Sequence, residues 1–287
     1  MVRSLLVSTE ELAQRLNNPA WLVVDCSFML AKPEEAEKNY LQGHIPGAIY
    51  AHLDRDLSAP IIPGVTGRHP LPEPEEAGRR FSQMGIGAGL QVVAYDNVGG
   101  ALAAARLWWM LRWLGFDSVA VLDGGLAKWL AEDRPLQPGR ESRAAVEFIA
   151  RPRPEMYVTA EQVERLRLDP AYRLVDVRTP ERYRDEAEPI DPVAGHIPGA
   201  INMPYLDNLT GANTFRSPTE LRFLYQKLAA ETPPEKVVFY CGSGVTSVHS
   251  LLAMMVAGLG ETKLYAGSWS EWIAPRTRPV ATGAEPL

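Results

Sequence analysis

The sequence is poor in the residues that build disulfide frameworks and zinc centres, with two cysteines and five histidines among 287 residues. Two cysteines cannot form the dense disulfide network of a secreted scaffold, so a reducing compartment, the cytoplasm, is expected. The cysteines and histidines show none of the spacings typical of zinc ligands, and neither a metal nor an organic cofactor is predicted. No apolar run reaches the ~20 residues that a membrane-spanning helix needs, and the apolar stretch near the start is too short for a signal peptide.

An excess of positive charge is also absent, because 29 basic residues stand against 35 acidic ones and give a net charge of −6. Nucleic acids and anionic membranes attract basic surfaces, so neither is an expected partner. An anionic substrate would need a local group of cationic residues. The composition, with 46% hydrophobic and 22% charged residues, is that of a globular protein, and the length predicts two domains.

Three segments of the first half return in the same order in the second half. The offset between the copies stays between 143 and 152 residues, so the chain is predicted to contain two similar units in tandem. The pairs are GHIPGAIY (43–50) with GHIPGAIN (195–202), VVAYDNVGG (92–100) with VVFYCGSGV (237–245), and LDGGLAKW (122–129) with YAGSWSEW (265–272).

Each repeat alternates strand and helix patterns. The apolar runs VVAY and VVFY are typical of strands buried on both faces of a parallel sheet, and each leads into an apolar helix pattern. Capped helix starts occur at 8–16 and 159–167. The predicted fold is therefore α/β, with two domains at 1–130 and 157–287, each a mostly parallel sheet with helices on both faces. A proline-rich linker at 131–156 is expected to join them.

Cys241 is the candidate nucleophile. It follows the strand VVFY directly, and Gly242, Ser243 and Gly244 come next. Glycines let several backbone N–H groups converge on one point, and ligands in such folds bind at the carboxyl ends of the strands. A thiol in such surroundings should have a lowered pKa, whereas the competing interpretation is a buried, inert cysteine.

The first repeat lacks a thiol at the equivalent position. Asp96 stands where the second repeat has Cys241. The other cysteine, Cys26, falls inside the strand pattern WLVVDCSF and is predicted to serve packing. Only the second repeat can therefore act through a thiol.

With these motifs the sequence resembles the two-domain rhodanese-like sulfurtransferases over almost its whole length. The resemblance rests on the repeated GHIPGA, DVR-x-x-x-RY at 176–183, CGSGVT at 241–246 and GSW-x-EW at 267–272. It implies that Cys241 takes a sulfane sulfur from a donor, becomes a persulfide, and passes the sulfur to cyanide or to a thiol acceptor such as a thioredoxin-like protein. It also implies that the first domain is catalytically silent and helps to wall the site.

The resemblance further implies a sulfur donor. Members that use 3-mercaptopyruvate carry an uncharged loop like CGSGVT, whereas thiosulfate enzymes carry cationic residues there. We therefore expect 3-mercaptopyruvate, with thiosulfate as the alternative. The expected substrate-binding residues are Gly242, Gly244, Val245 and Thr246 of the loop, and Arg182, whose planar guanidinium suits a carboxylate.

One arginine that mercaptopyruvate enzymes often carry is missing from this chain. It belongs to an EPR tripeptide before GHIPG, where this chain reads Glu188-Pro189-Ile190. Ile190 cannot bind a carboxylate. Either a neighbour such as Arg184 substitutes for it, or the enzyme accepts both donors.

The resemblance also implies a proton relay, in which Ser243 is assisted by a histidine and a carboxylate from the first domain. His69 and Asp56 are the candidates. His44 and His196, in the two GHIPGA copies, are predicted to be structural because one copy belongs to the repeat that lacks the thiol.

Five further side chains carry structural expectations. Asp176, at the end of its strand, is expected to brace the cysteine loop by a hydrogen bond. Thr246 and Ser247 are expected to cap the helix that follows the loop. Trp269 and Trp272 are expected either to line an apolar wall or to pack in the core.

Two other functions stay open. Related folds include cysteine phosphatases with the loop Cys-x5-Arg, but the sixth residue after Cys241 is Ser247, so a phosphoryl group would lack its bidentate clamp. The other alternative is a sulfur carrier or a regulatory binding module. The thiol and Arg182 argue against pure binding, yet they allow relay of sulfur from a protein donor.

Overall fold

A computed structural model describes residues 4–284, which form two compact units. The division differs from the predicted boundaries, because 60–71 groups with the second unit and 209–215 with the first. The predicted linker, 131–156, runs mostly as irregular chain up to 153 within unit 1. Unit 1 holds the chain up to Ala59, Pro72–Arg153 and Leu209–Phe215; unit 2 holds Pro60–Leu71, Pro154–Asn208 and the chain from Arg216 onward.

Unit 1 is built on a five-stranded parallel sheet with the strand order β1-β5-β4-β2-β3. Its strands are β1 (Leu6–Val7), β2 (Trp21–Asp25), β3 (Ile49–Tyr50), β4 (Gln91–Tyr95) and β5 (Val119–Leu122). Its helices are α1 (Thr9–Arg15), α2 (Pro33–Gln42), α3 (Leu53–Asp56), α4 (Pro74–Gln83), α5 (Ala103–Trp113) and α6 (Gly125–Ala131).

Unit 2 repeats this architecture with the strand order β6-β10-β9-β7-β8, again entirely parallel. Its strands are β6 (Tyr157–Val158), β7 (Arg173–Asp176), β8 (Ile201–Asn202), β9 (Val237–Tyr240) and β10 (Lys263–Tyr265). Its helices are α7 (Ala160–Leu166), α8 (Pro180–Tyr183), α9 (Pro218–Glu231), α10 (Ser247–Val256) and α11 (Ser268–Trp272), with single 3-10 turns at Pro154–Met156, Tyr205–Asn208 and Pro234–Lys236.

The predicted α/β fold is confirmed, and local chemistry accounts for the elements. The side chain of Ser8 caps α1 by accepting a hydrogen bond from the backbone N–H of Glu11, and Thr159 forms a capping box with Gln162 at α7. The central strands β4 and β9 are buried along almost their whole length, as expected for a parallel sheet covered on both faces. No helix within residues 4–284 is long and apolar enough to cross a membrane.

Candidate active site

Cys241 lies between β9 and α10, at the carboxyl end of the unit 2 sheet, and only 1% of it is exposed. Within its loop Gly244 adopts a φ of +74°, and a Cβ at that position would collide with the backbone oxygen of Ala266. Both the left-handed backbone and the close approach require glycine. The glycine therefore allows the loop to turn back around the thiol.

The first turn of α11 holds the cysteine loop in place. The backbone N–H of Cys241 donates to Ser268 Oγ (3.1 Å), and the N–H of Trp269 donates to the carbonyl of Cys241 (3.0 Å). The N–H of Ser270 donates to the carbonyl of Gly242 (2.9 Å). Ser268 has a φ of +53°, a strained value for a residue with a side chain. The motif GSW-x-EW thus positions the loop through its serines and backbone.

The two tryptophans of that motif belong to the core of unit 2. Both are fully buried in the main apolar cluster. Trp269 Nε1 donates to the carbonyl of Val193, and Trp272 Nε1 donates to the carbonyl of Pro279, each at 2.8 Å. Of the two expected roles, core packing is the one that the structure supports.

The polar groups around the sulfur set the acidity of Cys241. Burial raises the pKa of the thiol, but the neighbouring hydroxyls of Thr246 and Ser247, and then the N–H groups of Ser243 and Ser247, lower it by more. The pKa therefore lies below its ordinary value of 9.0, and the thiolate is favoured.

The predicted capping role of Thr246 and Ser247 is wrong. Thr246 is the N-cap residue of α10, but its side chain makes no capping hydrogen bond. The buried hydroxyl of Ser247 has no hydrogen-bond partner, judged by distance and angle, within residues 4–284. Both hydroxyls instead act on the nearby thiol, whose pKa they lower.

Asp96 shows what the equivalent loop of unit 1 does. Its Oδ1 accepts hydrogen bonds from the backbone N–H groups of Val98 (2.9 Å) and Gly100 (2.8 Å), and its Oδ2 from those of Leu102 (2.9 Å) and Ala104 (3.3 Å). Burial raises the pKa of this carboxyl, and the four N–H donors oppose that rise. The loop of unit 1 is thus a ring of donors around an anion, and its own carboxylate fills it.

Cys26 is as deeply buried as Cys241, but its pKa is shifted in the opposite direction. It follows the last residue of β2 rather than lying within the strand, and it is completely buried. Burial, and then the negative charge of neighbouring carboxylates led by Asp25, raises the pKa of its thiol well above 9.0. Its surroundings fit the predicted packing role.

His69 reaches the cysteine loop through Ser243. The Nδ1 of His69 lies 2.7 Å from Ser243 Oγ, and both side chains are buried. The segment that carries His69 is pinned to α11, because the N–H of Arg68 donates to Ser270 Oγ (3.0 Å) and a Cβ on Gly67 would lie 2.6 Å from a backbone oxygen of Gly267.

Asp56 belongs to unit 1, where it is the last residue of α3. Its Oδ2 accepts a hydrogen bond from the backbone N–H of His52 (2.7 Å), and burial raises the pKa of the carboxyl. Its assistance to His69 stays a prediction.

Arg182 lies in a network of buried carboxylates. Its Nε and Nη2 donate to Glu188 at 2.8–3.1 Å, and Nη2 also donates to Asp191 Oδ2 (2.9 Å). Burial raises the pKa of Glu188, but its hydrogen bonds, first of all the one from Arg182, bring the pKa below the ordinary range. Nη1 of Arg182 makes no hydrogen bond to the residues that the structure describes. One edge of the guanidinium is therefore left for a ligand.

A second arginine, Arg68, lies beside the cysteine loop together with Arg182, and sequence reasoning did not identify it. The position that a Cβ on Gly242 would take is 2.7 Å from Arg68 Nη2 and 3.6 Å from both Nη atoms of Arg182. Arg184, the substitute that the sequence suggested, instead pairs with Glu186 on the surface (2.8 Å). The one available signal was the position of Arg68 directly before His69.

The expectation that Asp176 braces the cysteine loop is wrong. Its carboxylate accepts hydrogen bonds from the backbone N–H, Nε and Nη2 of Arg178 at 2.7–3.1 Å. Arg178 also donates to the carbonyl of Gly195 (2.6 Å) and lies over the ring of Trp269 (4.9 Å). A buried guanidinium needs a carboxylate partner, and this need takes up the Asp176 side chain.

The two GHIPGA histidines have matching structural roles. The Nδ1 of His44 bonds the carbonyl of Tyr40 and that of His196 bonds the carbonyl of Tyr183, each at 2.8 Å. Each imidazole also stacks on the ring of the same tyrosine, and both histidines are fully buried. Burial lowers the pKa of His196, which favours the neutral ring.

Comparison with known proteins agrees with the geometry. The family model for the rhodanese-like domain matches residues 8–132 and 159–275. A Pseudomonas aeruginosa protein named probable 3-mercaptopyruvate sulfurtransferase is 45% identical over 284 residues, which cover 99% of this chain and 100% of that protein. A Mycobacterium tuberculosis protein with a provisional name as a thiosulfate sulfurtransferase is 36% identical, with 91% of this chain and 90% of that protein covered.

Among solved structures, the 3-mercaptopyruvate sulfurtransferase from Leishmania major superimposes with a TM-score of 0.83 at 30% identity. The match covers 94% of this chain and 74% of that one. The predicted family and the predicted enzyme class, a sulfurtransferase, are confirmed by these relatives. The two repeats and their five-stranded parallel sheets are thus explained: the chain belongs to the rhodanese-like family, as two rhodanese-like domains in tandem.

Proposed function

We propose that this protein is a 3-mercaptopyruvate sulfurtransferase that works through a persulfide on Cys241. The observation that carries the proposal is the pair formed by Ser243 Oγ and His69 Nδ1, 2.7 Å apart, in the loop of a thiol with a lowered pKa. A nucleophile and a proton carrier are the two groups that this donor requires. The names of the relatives from Pseudomonas aeruginosa and Leishmania major support the same donor.

The first half-reaction balances without an external oxidant or reductant. The Cys241 thiolate attacks the sulfur of 3-mercaptopyruvate, a new S–S bond forms, and the C–S bond breaks with its electron pair left on carbon as the pyruvate enolate. The proton of the substrate thiol ends on that carbon, so the products are the Cys241 persulfide anion and pyruvate. We assign the transfer of this proton to Ser243 and His69, with Asp56 as the carboxylate that assists the histidine.

In the second half-reaction the outer sulfur leaves the persulfide. Cyanide attacks it to give thiocyanate and the Cys241 thiolate, and a thiol acceptor gives a persulfide of its own. The donors around the sulfur, namely the N–H groups of the loop and the Thr246 hydroxyl, stabilise the thiolate and suit the persulfide anion equally. Gly242, Gly244 and Val245 contribute by giving the loop its shape, and Arg182 binds the donor carboxylate. A thioredoxin-like acceptor and a cytoplasmic location stay part of the proposal.

Thiosulfate is the second candidate donor. The uncharged loop favoured a monoanion, but Arg68 and Arg182 both lie beside Gly242, so cationic groups are supplied from outside the loop. Two guanidinium groups suit a dianion as well as a carboxylate. The Mycobacterium tuberculosis relative, with its provisional name, points to the same alternative.

Steady-state rates with the two donors test the proposal. With cyanide as acceptor, we expect kcat/KM for 3-mercaptopyruvate to exceed that for thiosulfate by about 10-fold or more, because only the first reaction uses the proton relay. Thiocyanate formation measures both rates in one assay. A higher value for thiosulfate would reverse the donor assignment, and inactivity with both donors would leave the sulfur carrier.

The Ser243→Ala variant tests the relay itself. We expect turnover with 3-mercaptopyruvate to fall by about 10- to 100-fold, since general acid-base catalysis commonly contributes at least that much. Turnover with thiosulfate should change far less, because sulfite leaves with its electron pair and needs no proton. Ser250→Ala, which removes a hydroxyl in α10 that bonds Asn208 (3.2 Å), is the matched control. Equal losses with both donors would indicate that Ser243 only shapes the loop.

A further inference from the structure

Ile190, which stands where the resemblance led us to expect an arginine, lines a cavity of unit 2. Ile190 is 42% exposed and lines a cavity of about 730 Å³ together with Arg68, Asp191 and Ser270. An isoleucine offers no hydrogen bond to an anion. If the site binds a donor anion through two cations, the second cation must come from another part of the chain.

Arg68 has the position and the free donors for this task. Its Nη2 lies 2.7 Å from the point where a Cβ on Gly242 would lie, so the guanidinium covers the residue next to Cys241. Its Nη1 donates to Asp191, while its buried Nε has no hydrogen-bond partner within residues 4–284. A quarter of the Arg68 side chain is exposed, which leaves the group accessible to a small ligand.

Asp191 holds the two arginines together. Its Oδ1 accepts from Arg68 Nη1, and its Oδ2 accepts from Arg182 Nη2 at 2.9 Å. The Asp191 side chain is 2% exposed, and Glu188 fixes the other edge of Arg182. Glu188 also accepts a hydrogen bond from Arg178 Nη1 (3.3 Å), and Arg178 pairs with Asp176. The three arginines and three carboxylates of this network leave it without net charge, while Arg68 and Arg182 each keep at least one N–H group that is not engaged.

We propose that Arg68 is the second anion-binding residue of this enzyme and takes the place left by Ile190, with Asp191 as the positioning residue for both arginines. The inference rests on the proposed function, since it names how the donor anion is bound. The same short segment then supplies the anion-binding Arg68 and the proton carrier His69. Its attachment to α11, through Ser270 Oγ and the close approach at Gly67, fixes both relative to the cysteine loop.

The Arg68→Gln variant tests the inference. We expect KM for 3-mercaptopyruvate to rise by about 10- to 100-fold with kcat changed only a few-fold, because a lost charge-assisted hydrogen bond weakens binding by that order. KM for cyanide should stay the same. For Arg68→Lys we expect a KM for 3-mercaptopyruvate between those of the wild type and Arg68→Gln, since lysine keeps the charge and loses the planar fork. Ile190→Arg in the Arg68→Gln background should restore part of the affinity.

Arg276→Gln is the matched control, because Arg276 is an exposed arginine that lines the same cavity. It should leave KM for the donor unchanged. An equal rise of KM in the Arg276 and Arg68 variants would overturn the inference in favour of a general charge effect, and an unchanged KM in Arg68→Gln would overturn it outright.

A binding measurement separates this inference from the proposed function. Calorimetric titration of 3-mercaptopyruvate and of thiosulfate into Cys241→Ser, with and without Arg68→Gln, reports anion affinity without turnover. We expect affinity to fall about 10-fold or more when Arg68 is replaced. Equal affinities would overturn the role of Arg68 even if the enzyme is active. If the Arg68→Gln substitution lowers the affinity but the wild-type protein forms no persulfide with either donor, the proposed function is contradicted and the anion site is supported.

Discussion

Treatment with 3-mercaptopyruvate should raise the intact mass of the protein by about 32 Da, one sulfur atom, and the Cys241→Ser variant should show no such increase. The reason is the contrast between the two thiols. The hydroxyl and N–H groups around the sulfur lower the pKa of Cys241, whereas burial raises that of Cys26 well above 9.0. The Cys241 thiol therefore forms a thiolate more readily than the Cys26 thiol does.

Cys26→Ala is the matched control for this experiment, because it removes the other sulfur and leaves the loop untouched. The mass increase should persist in full in that variant. An adduct that persists in Cys241→Ser, or that disappears with Cys26, would show that the nucleophile is misassigned. Thiocyanate formation should follow the adduct in each variant, since in the proposed mechanism the sulfur reaches cyanide only through the persulfide.

The second large effect, on both activity and stability, is expected from Gly244→Ala, a substitution that adds a single methyl group. Gly244 has a φ of +74°, and the new Cβ would collide with the backbone oxygen of Ala266. That oxygen lies between β10 and α11, where the side chain of Ser268 bonds the carbonyl of Tyr265 (2.9 Å), so the chain has little room to retreat. We expect kcat/KM to fall by about 100-fold or more, together with a loss of about 2–4 kcal/mol in the free energy of unfolding.

Gly64→Ala is the control that separates the cost of the left-handed backbone from the cost of the collision. Gly64 has nearly the same φ, +75°, in the same unit, but nothing lies within 4 Å of its Cβ position. It should lose about 1–2 kcal/mol of stability from the backbone conformation alone and keep its activity. Chemical denaturation and donor kinetics measure the two quantities. Wild-type activity in Gly244→Ala would mean that the loop geometry around Cys241 is not required for sulfur transfer.

Much of the fold was predictable because its signals are local and repeated. The apolar runs of β4 and β9 and the caps at Ser8 and Thr159 act over a few residues, and each signal has a copy in the other half of the chain. The comparison of Asp96 with Cys241 required only the alignment of those copies. The four N–H donors around Asp96 also show that the loop is built to surround an anion.

Local reasoning went wrong where one side chain had two possible partners. Thr246 and Ser247 have the residue types and the position of helix caps, but neither side chain caps the helix, and both hydroxyls instead lower the pKa of the Cys241 thiol. Asp176 was expected at the cysteine loop, but it serves the guanidinium of Arg178, two residues away. In both cases a buried charged group outcompetes a backbone group for the available partner, because leaving a charge unpaired inside the protein has the higher free-energy cost.

The sequence by itself determined the two α/β domains, the single candidate thiol and the family, because periodicity, duplication and motifs can be identified from the order of residues along the chain. Only the tertiary structure decided which residues meet at that thiol. His69 and Ser243 are 174 residues apart in sequence, and Arg68 and Asp191 are 123 apart. No periodic pattern links positions so distant, since their contact depends on how the irregular segment 60–71 packs within unit 2. That packing places the guanidinium of Arg68 beside Gly242.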